Sequence, residues 1–212
     1  MLVFALIAGG ALGVALTTSL EVVTAPYSAH VVAYPLNSAV HLVKVLAVAT
    51  FVAGMAGYLV RYRQRLGLIG SIAVAALALG TVLGGLPYNL AEASLDPALT
   101  PAAANERLEA IYAAQPWIGE VAGAMLPVVL LAIIVFGIVA LRRRLFPAWA
   151  PAISLGMIPV AIGAVILAEG AGLPLPHPPA WLFLGVASYG AAGLALSSAS
   201  RGRPPAAAAL GR

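Results

Sequence analysis

Residues 41–65 read HLVKVLAVATFVAGMAGYLVRYRQR. Between Lys44 and Arg61 lie sixteen uncharged residues, Val45 to Val60. A helix rises about 1.5 Å per residue, so this run covers only about 24 Å. The hydrocarbon core of a bilayer is roughly 30 Å thick. To cross it, the helix must draw Lys44 just inside one hydrocarbon boundary. Arg61, Arg63 and Arg65 then mark the other boundary. An apolar run of this kind, hydrophobic all round and closed by cations at both ends, is a transmembrane helix.

The rest of the chain follows the same rule. Of 212 residues, 62% are hydrophobic and only 8% charged, against roughly 25% charged in a soluble domain. Such a chain has too little polar surface to face water. Counting apolar stretches predicts six spans, near residues 1–20, 38–60, 66–88, 119–141, 148–168 and 180–198. The four prolines 174, 176, 178 and 179 delay the start of the last one. The first stretch lacks the basic flank and nearby small-residue cleavage site of a signal peptide, so it is read as a retained span.

Charge orients the bundle. Arg groups follow spans 2, 4 and 6 at residues 61–65, 142–144 and 201–212. Basic loops stay in the cytoplasm. All seven acidic residues then fall on the opposite side, with Lys44 and Arg107, and the balance closes on the net +4. The expected fold is an all-α, six-helix transmembrane bundle, one domain, with both termini in the cytoplasm. The outer connection between spans 3 and 4 carries a helix start at Thr100 and Pro101. Leu108, Ile111 and Tyr112 share one face there. That pattern predicts a short amphipathic helix lying on the outer membrane surface.

Composition also excludes chemistry. There is no Cys, hence no disulfide, thiolate metal site or Cys nucleophile. The basic residues sit at span ends rather than on an exposed basic face, so nucleic acid is not a partner. No HExxH, GxSxG or phosphate-loop motif is present. No catalytic residue, cofactor or enzyme activity is assigned.

The polar residues that remain gather at one depth. Asn37, His41 and Lys44 are spaced i, i+4, i+7 and share a helix face. Tyr88, Asn89 and Glu92 end span 3. Thr17 and Glu21 end span 1, Glu120 begins span 4 and Glu169 ends span 5. One reading makes His41, Lys44, Asn89, Glu92, Glu120, Glu169 and Glu21 a polar pocket opening outward, with Lys44 as its cation. It would bind or pass a small molecule or lipid. The plainer reading leaves Lys44 snorkelling to headgroups and the carboxylates as helix-end markers. The bilayer centre holds no ionisable residue, which argues against a transporter with a midplane site.

Two other readings stay open. Gly9/Gly13, Gly80/Gly84 and Gly119/Gly123 have the spacing that lets helices approach closely. Those faces suit a second copy or a membrane partner, and the chain would then be an accessory subunit. The three His residues lie outside, and His41 with His177 is the candidate pair for a metal or haem site, while His30 reads as a loop residue.

The stretches AVHLVKVLAVATFVAGMAGYLVRYRQRLGLIG (39–70) and PPAWLFLGVASYGAAGLAL (178–196) resemble uncharacterised small multi-pass membrane proteins of actinobacteria and related bacteria. The resemblance implies six helices in a bacterial cytoplasmic membrane, and no residue-level activity.

Overall fold

The computed structural model describes residues 1–24, 37–171 and 178–201. These residues form helices α1 (Leu2–Thr24), α2 (Asn37–Ala93), α3 (Pro101–Ala114), α4 (Trp117–Arg142), α5 (Trp149–Ala171) and α6 (Pro178–Arg201), with no strand among them. All but α3 are long and apolar enough to cross a membrane. Their outward sides carry large aliphatic residues, among them Leu2, Val60, Leu68, Ile69 and Ile166, each at least 64% exposed. In water such a surface would be unfavourable; in hydrocarbon it has no penalty.

The α2 helix is two helices in series. Gly67 takes φ 64° and ψ −174°, a conformation essentially confined to glycine. It folds 68–93 back on 37–66, and the far ends meet where the Ser38 hydroxyl donates to the Leu95 carbonyl at 2.7 Å. The sequence reading ended one helix at residue 60 and began the next at 66. Instead the segment with Arg61, Arg63 and Arg65 continues the helix, and the turn is a single residue. Arg143 secures it: its guanidinium donates to the Arg65 carbonyl at 3.1 Å, where the helix leaves acceptors unfilled. The other helices also extend a few residues past the expected ends.

Antiparallel neighbours are set by glycine. A Cβ on Gly10 would collide with the Phe51 backbone, one on Gly13 with Ala47, and one on Gly54 with Ile7. These pairs register α1 against 37–66. Gly80 and Gly84 likewise face Val129 and Met125, registering 68–93 against α4. Gly190 abuts the Ala8 backbone and Gly193 the Phe4 ring, which seats α6 on α1. Gly137 meets Leu155 near the Arg end of α4 and α5. Lipid supplies no hydrophobic drive between helices, so close backbone approach is the main source of attraction. Gly9, Gly119 and Gly123 have open space where a Cβ would go.

The two ends of the bundle differ. At the Arg end, Phe4, Tyr58, Tyr62, Phe136, Phe146 and Tyr189 form a continuous ring cluster, with centroids between 4.7 and 6.4 Å apart. It joins α1, the first arm of α2, α4, the α4–α5 connection and α6. Such pairs contribute about 0.5–1.5 kcal/mol each beyond burial. The α4 helix closes there in a Schellman motif, with Leu145 N–H on the Ala140 carbonyl at 3.0 Å and Arg144 N–H on Leu141 at 3.2 Å. Arg144 occupies the left-handed position, φ 50°, that glycine usually fills.

The two turns give predictions of opposite sign. Gly67→Ala must hold an alanine at a glycine-only conformation and against the Arg143 guanidinium, 2.8 Å away; it should lower bundle stability by about 1–3 kcal/mol. Arg144→Gly relieves a left-handed L-residue and should leave stability unchanged or raise it by up to about 1 kcal/mol. Thermal unfolding in detergent measures both.

Candidate functional site

At the end opposite the aromatic cluster lies a cavity of about 390 Å³. Its polar wall is Thr18 from α1, Lys44 from the first arm of α2, and Thr81, Tyr88 and Asn89 from the second. Its apolar wall includes Val48, Val129 and Leu126, with Leu182 and Phe183 from α6. Volume and mixed lining fall within the range of small-molecule sites.

Lys44 is 9% exposed and lines this cavity. The side chain is therefore buried within the bundle at the cavity wall. Asn89 and Thr18 are buried at 3% and 2% exposure. Asn89 Nδ2 donates to the Gly85 carbonyl at 2.6 Å, one turn back in its own helix. Its Oδ1 has no hydrogen-bond partner among the described residues, and neither has Thr18 Oγ1. Thr81 Oγ1 is occupied, donating to the Leu77 carbonyl at 2.7 Å.

Behind this wall sits a second layer. His41 and Glu92 are both 1% exposed. His41 is one turn before Lys44, and its ring lies 6.4 Å from that of Tyr88. Glu92 is one turn beyond Asn89 and accepts from the Tyr112 hydroxyl at 3.0 Å. The Tyr112 ring stacks on Tyr88 with 5.7 Å between centroids and 12° between planes. Tyr112 belongs to α3, which begins at Thr100, whose hydroxyl accepts from Ala103 N–H at 3.3 Å. The sequence reading laid the apolar face of α3 on lipid. In the structure Ala104 and Leu108 pack on Leu95, with Leu99 and Tyr112 beside them. The helix thus closes on the chain's own α2 end, and Tyr112 reaches the buried carboxylate of Glu92.

Of the expected cluster, then, His41, Lys44, Asn89 and Glu92 come together. Glu120 does not join them: it is exposed on the first turn of α4. Its helix face is turned away because Ala122, Met125 and Leu126 face the cavity. Glu21 and Glu169 fall in the last turns of α1 and α5, and their side chains lie outside the described residues, as do His30 and His177. Thr17 bonds its own helix, through Gly13 at 2.8 Å, and Thr18 is the threonine in the wall. The signal for Thr18 was its stripe with Ala11 and Val14, at i, i+3, i+7. Tyr112 had no signal as a partner for Glu92, since nothing in the sequence specified how α3 folds back. Among the described residues no three His, Asp or Glu side chains converge as a metal site requires.

No family profile, curated protein or solved structure matches the chain.

Burial, then the neighbouring Tyr88 and the Glu92 carboxylate, push the Tyr112 phenol well above the usual tyrosine range. A raised phenol stabilises the folded state fully below its unfolded value of about 10, and that contribution is lost only as pH climbs further. Amide exchange across 101–114 should therefore report the same opening free energy between pH 6 and 9. Tyr112→Phe should lower it by about 1.5–3 kcal/mol, the range for a hydrogen bond to a charged group. An unchanged exchange pattern in that variant would remove Tyr112 as the link between α3 and Glu92.

Proposed function

We propose that the chain is a six-span protein of a bacterial cytoplasmic membrane that binds a small amphipathic molecule in a cavity facing the outer leaflet. The two arms of α2, with α1, α4, α5 and α6, supply the six spans. The segregation of charge orients them, Arg groups to the cytoplasm and acids outward. Under that orientation the cavity lies at the outer interface.

The observation that carries the reading is the burial of Lys44 against a mixed polar and apolar wall. A cation inside a span is rare and marks a ligand or ion path more often than a surface. Here only sixteen uncharged residues separate it from Arg61, too few to place both cations outside the hydrocarbon. The apolar wall suits the hydrocarbon part of an amphiphile, and the polar side chains suit its head.

Two measurements test this. The chain has no Cys, so single cysteines report topology cleanly. A membrane-impermeant maleimide added to intact cells should label Ala102→Cys and leave Gln64→Cys unlabelled, and the reverse pattern would invert the orientation. For the cavity, lipid extract added to delipidated protein should raise the melting temperature by several degrees. Lys44→Met should remove most of that rise while keeping its own bundle folded. An undiminished rise in Lys44→Met would sink the pocket reading.

A further inference from the structure

We infer that the Arg end of the bundle carries a second site, separate from the cavity, that holds the headgroup of an anionic phospholipid with two phosphates, of the diphosphatidylglycerol type. The site is built on Arg61 and Arg65 from the first arm of α2 and on Arg143 and Arg144 where α4 ends.

The Gly67 turn brings the two groups together. Arg61 and Arg65 are one turn apart and share a helix face. The Arg143 guanidinium donates to the Arg65 carbonyl at 3.1 Å. A Cβ on Gly67 would stand only 2.8 Å from both of its Nη atoms. One edge of this fork is thus fixed, while the residue as a whole stays exposed. A guanidinium carries five N–H groups in a planar fork that fits a phosphate. Holding it in place beforehand lowers the cost of binding. Arg61, Arg65 and Arg144 are exposed as well. All seven acids of the chain lie at residues 21, 92–120 and 169. These positions are in α3, in the connection before it, or near the opposite ends of their helices. Among the described residues no Asp or Glu therefore neutralises the patch.

Arg144 is the sharper sign. It takes φ 50°, at the position of a Schellman motif that glycine fills with less strain. The turn gains nothing from an arginine there, so what this residue contributes is its cation. Topology alone would be met by a basic residue anywhere on the two connections. It calls neither for a guanidinium tied across the turn nor for one at a left-handed position.

The surroundings select the partner. Beside the patch, Leu68, Ile69 and Ile72 on α2 and Ile138 and Leu141 on α4 are exposed. They lie on the two helices that Gly70 and Val139 bring into contact. Trp149 is exposed at the start of α5, as an aromatic at headgroup depth would be. A surface that passes from guanidinium to aliphatic within one helical turn matches a phosphate headgroup with its acyl chains. An acidic peptide would leave the aliphatic part unmet. The cations also come in two groups. Two phosphates joined in one molecule can meet both, the second at high effective concentration.

The test uses the full chain, delipidated in detergent, with native mass spectrometry counting retained molecules. Diphosphatidylglycerol, phosphatidylglycerol, phosphatidylcholine and a polyglutamate peptide are offered separately. Diphosphatidylglycerol should be retained roughly five- to tenfold more tightly than phosphatidylglycerol, with phosphatidylcholine weakest. Arg144→Gly and Arg61→Gln should each weaken that retention roughly fivefold, the effect of one cation near a lipid surface. Arg144→Gly suits the α4 turn, so an unchanged melting temperature separates its effect from misfolding, and Arg61→Gln repeats the measurement on the other group. Arg107→Gln removes an exposed cation of α3, away from the patch, and should change nothing. Lys44→Met should also retain the lipid, because the cavity is a different site. Equal retention of the two anionic lipids, or the same loss with Arg107→Gln as with Arg144→Gly, reduces the patch to net positive charge and overturns the site. Loss in Lys44→Met with none in Arg144→Gly or Arg61→Gln moves the lipid to the cavity, so this inference falls and the pocket reading stands. Tighter binding of the peptide than of the lipid makes the partner a protein and overturns the lipid. If diphosphatidylglycerol behaves as expected while the cavity test fails, the Arg site stands without the pocket.

Discussion

Everything in this bundle depends on how closely backbone can approach backbone in a solvent that does not push helices together. The α1 helix is pressed on both sides: Gly10 lets the Phe51 backbone in, and Gly190 receives its Ala8. With α1 held between 37–66 and α6, those three helices form the tight half of the structure. The second arm of α2 extends that half to α4 through Gly80 and Gly84. No comparable pair draws α4 toward α6. The cavity is what remains where close approach stops, so its position follows from the distribution of small residues and not from any polar group.

Polar groups then exploit that gap. Burying Lys44, His41 and Glu92 is tolerable only where partners or an opening reduce the desolvation penalty. The end opposite the aromatic rings provides both, through the Tyr112 hydroxyl on Glu92 and the space lined by Lys44. The opposite end is built to be dry. Six packed aromatic rings and the Arg143 cap on the Gly67 turn fill it. The buried polar side chains and the aromatic rings thus sit at opposite ends of the bundle.

Much of the architecture was legible in the sequence because lipid makes periodicity simple. An apolar run of sufficient length has to be a helix, since no other segment satisfies its own backbone there. The i, i+3 spacing of His41 and Lys44 also put them on one face, and both are buried in the structure. Two things were hidden. A one-residue turn at Gly67 looks the same in sequence as any glycine in a helix until the Arg143 contact is seen. Rotation about a helix axis was hidden too: Thr17 and Thr18 differ by one position and about 100° of rotation, both are buried, and Thr18 is the one that lines the cavity. The exposure of Glu120 has the same origin, since depth follows from counting residues but facing does not.

The role of α3 shows how these levels join. Its sequence is amphipathic, and amphipathic helices beside a membrane ordinarily lie on lipid. Here a nearer apolar surface exists in Leu95 and Leu99, reached through a short connection with its own turn, Ala98 N–H on Asp96 Oδ1 at 2.8 Å. Loop closure over so few residues is inexpensive, so the chain's own hairpin competes well with the bilayer for that face. Once α3 is docked, Tyr112 stands over Glu92, and Tyr88 is stacked between Tyr112 and the chamber. The α3 helix is joined by a two-residue connection to α4, which lines one side of the cavity. The buried Glu92 carboxylate is therefore the point where the α3–α4 end is fastened to α2.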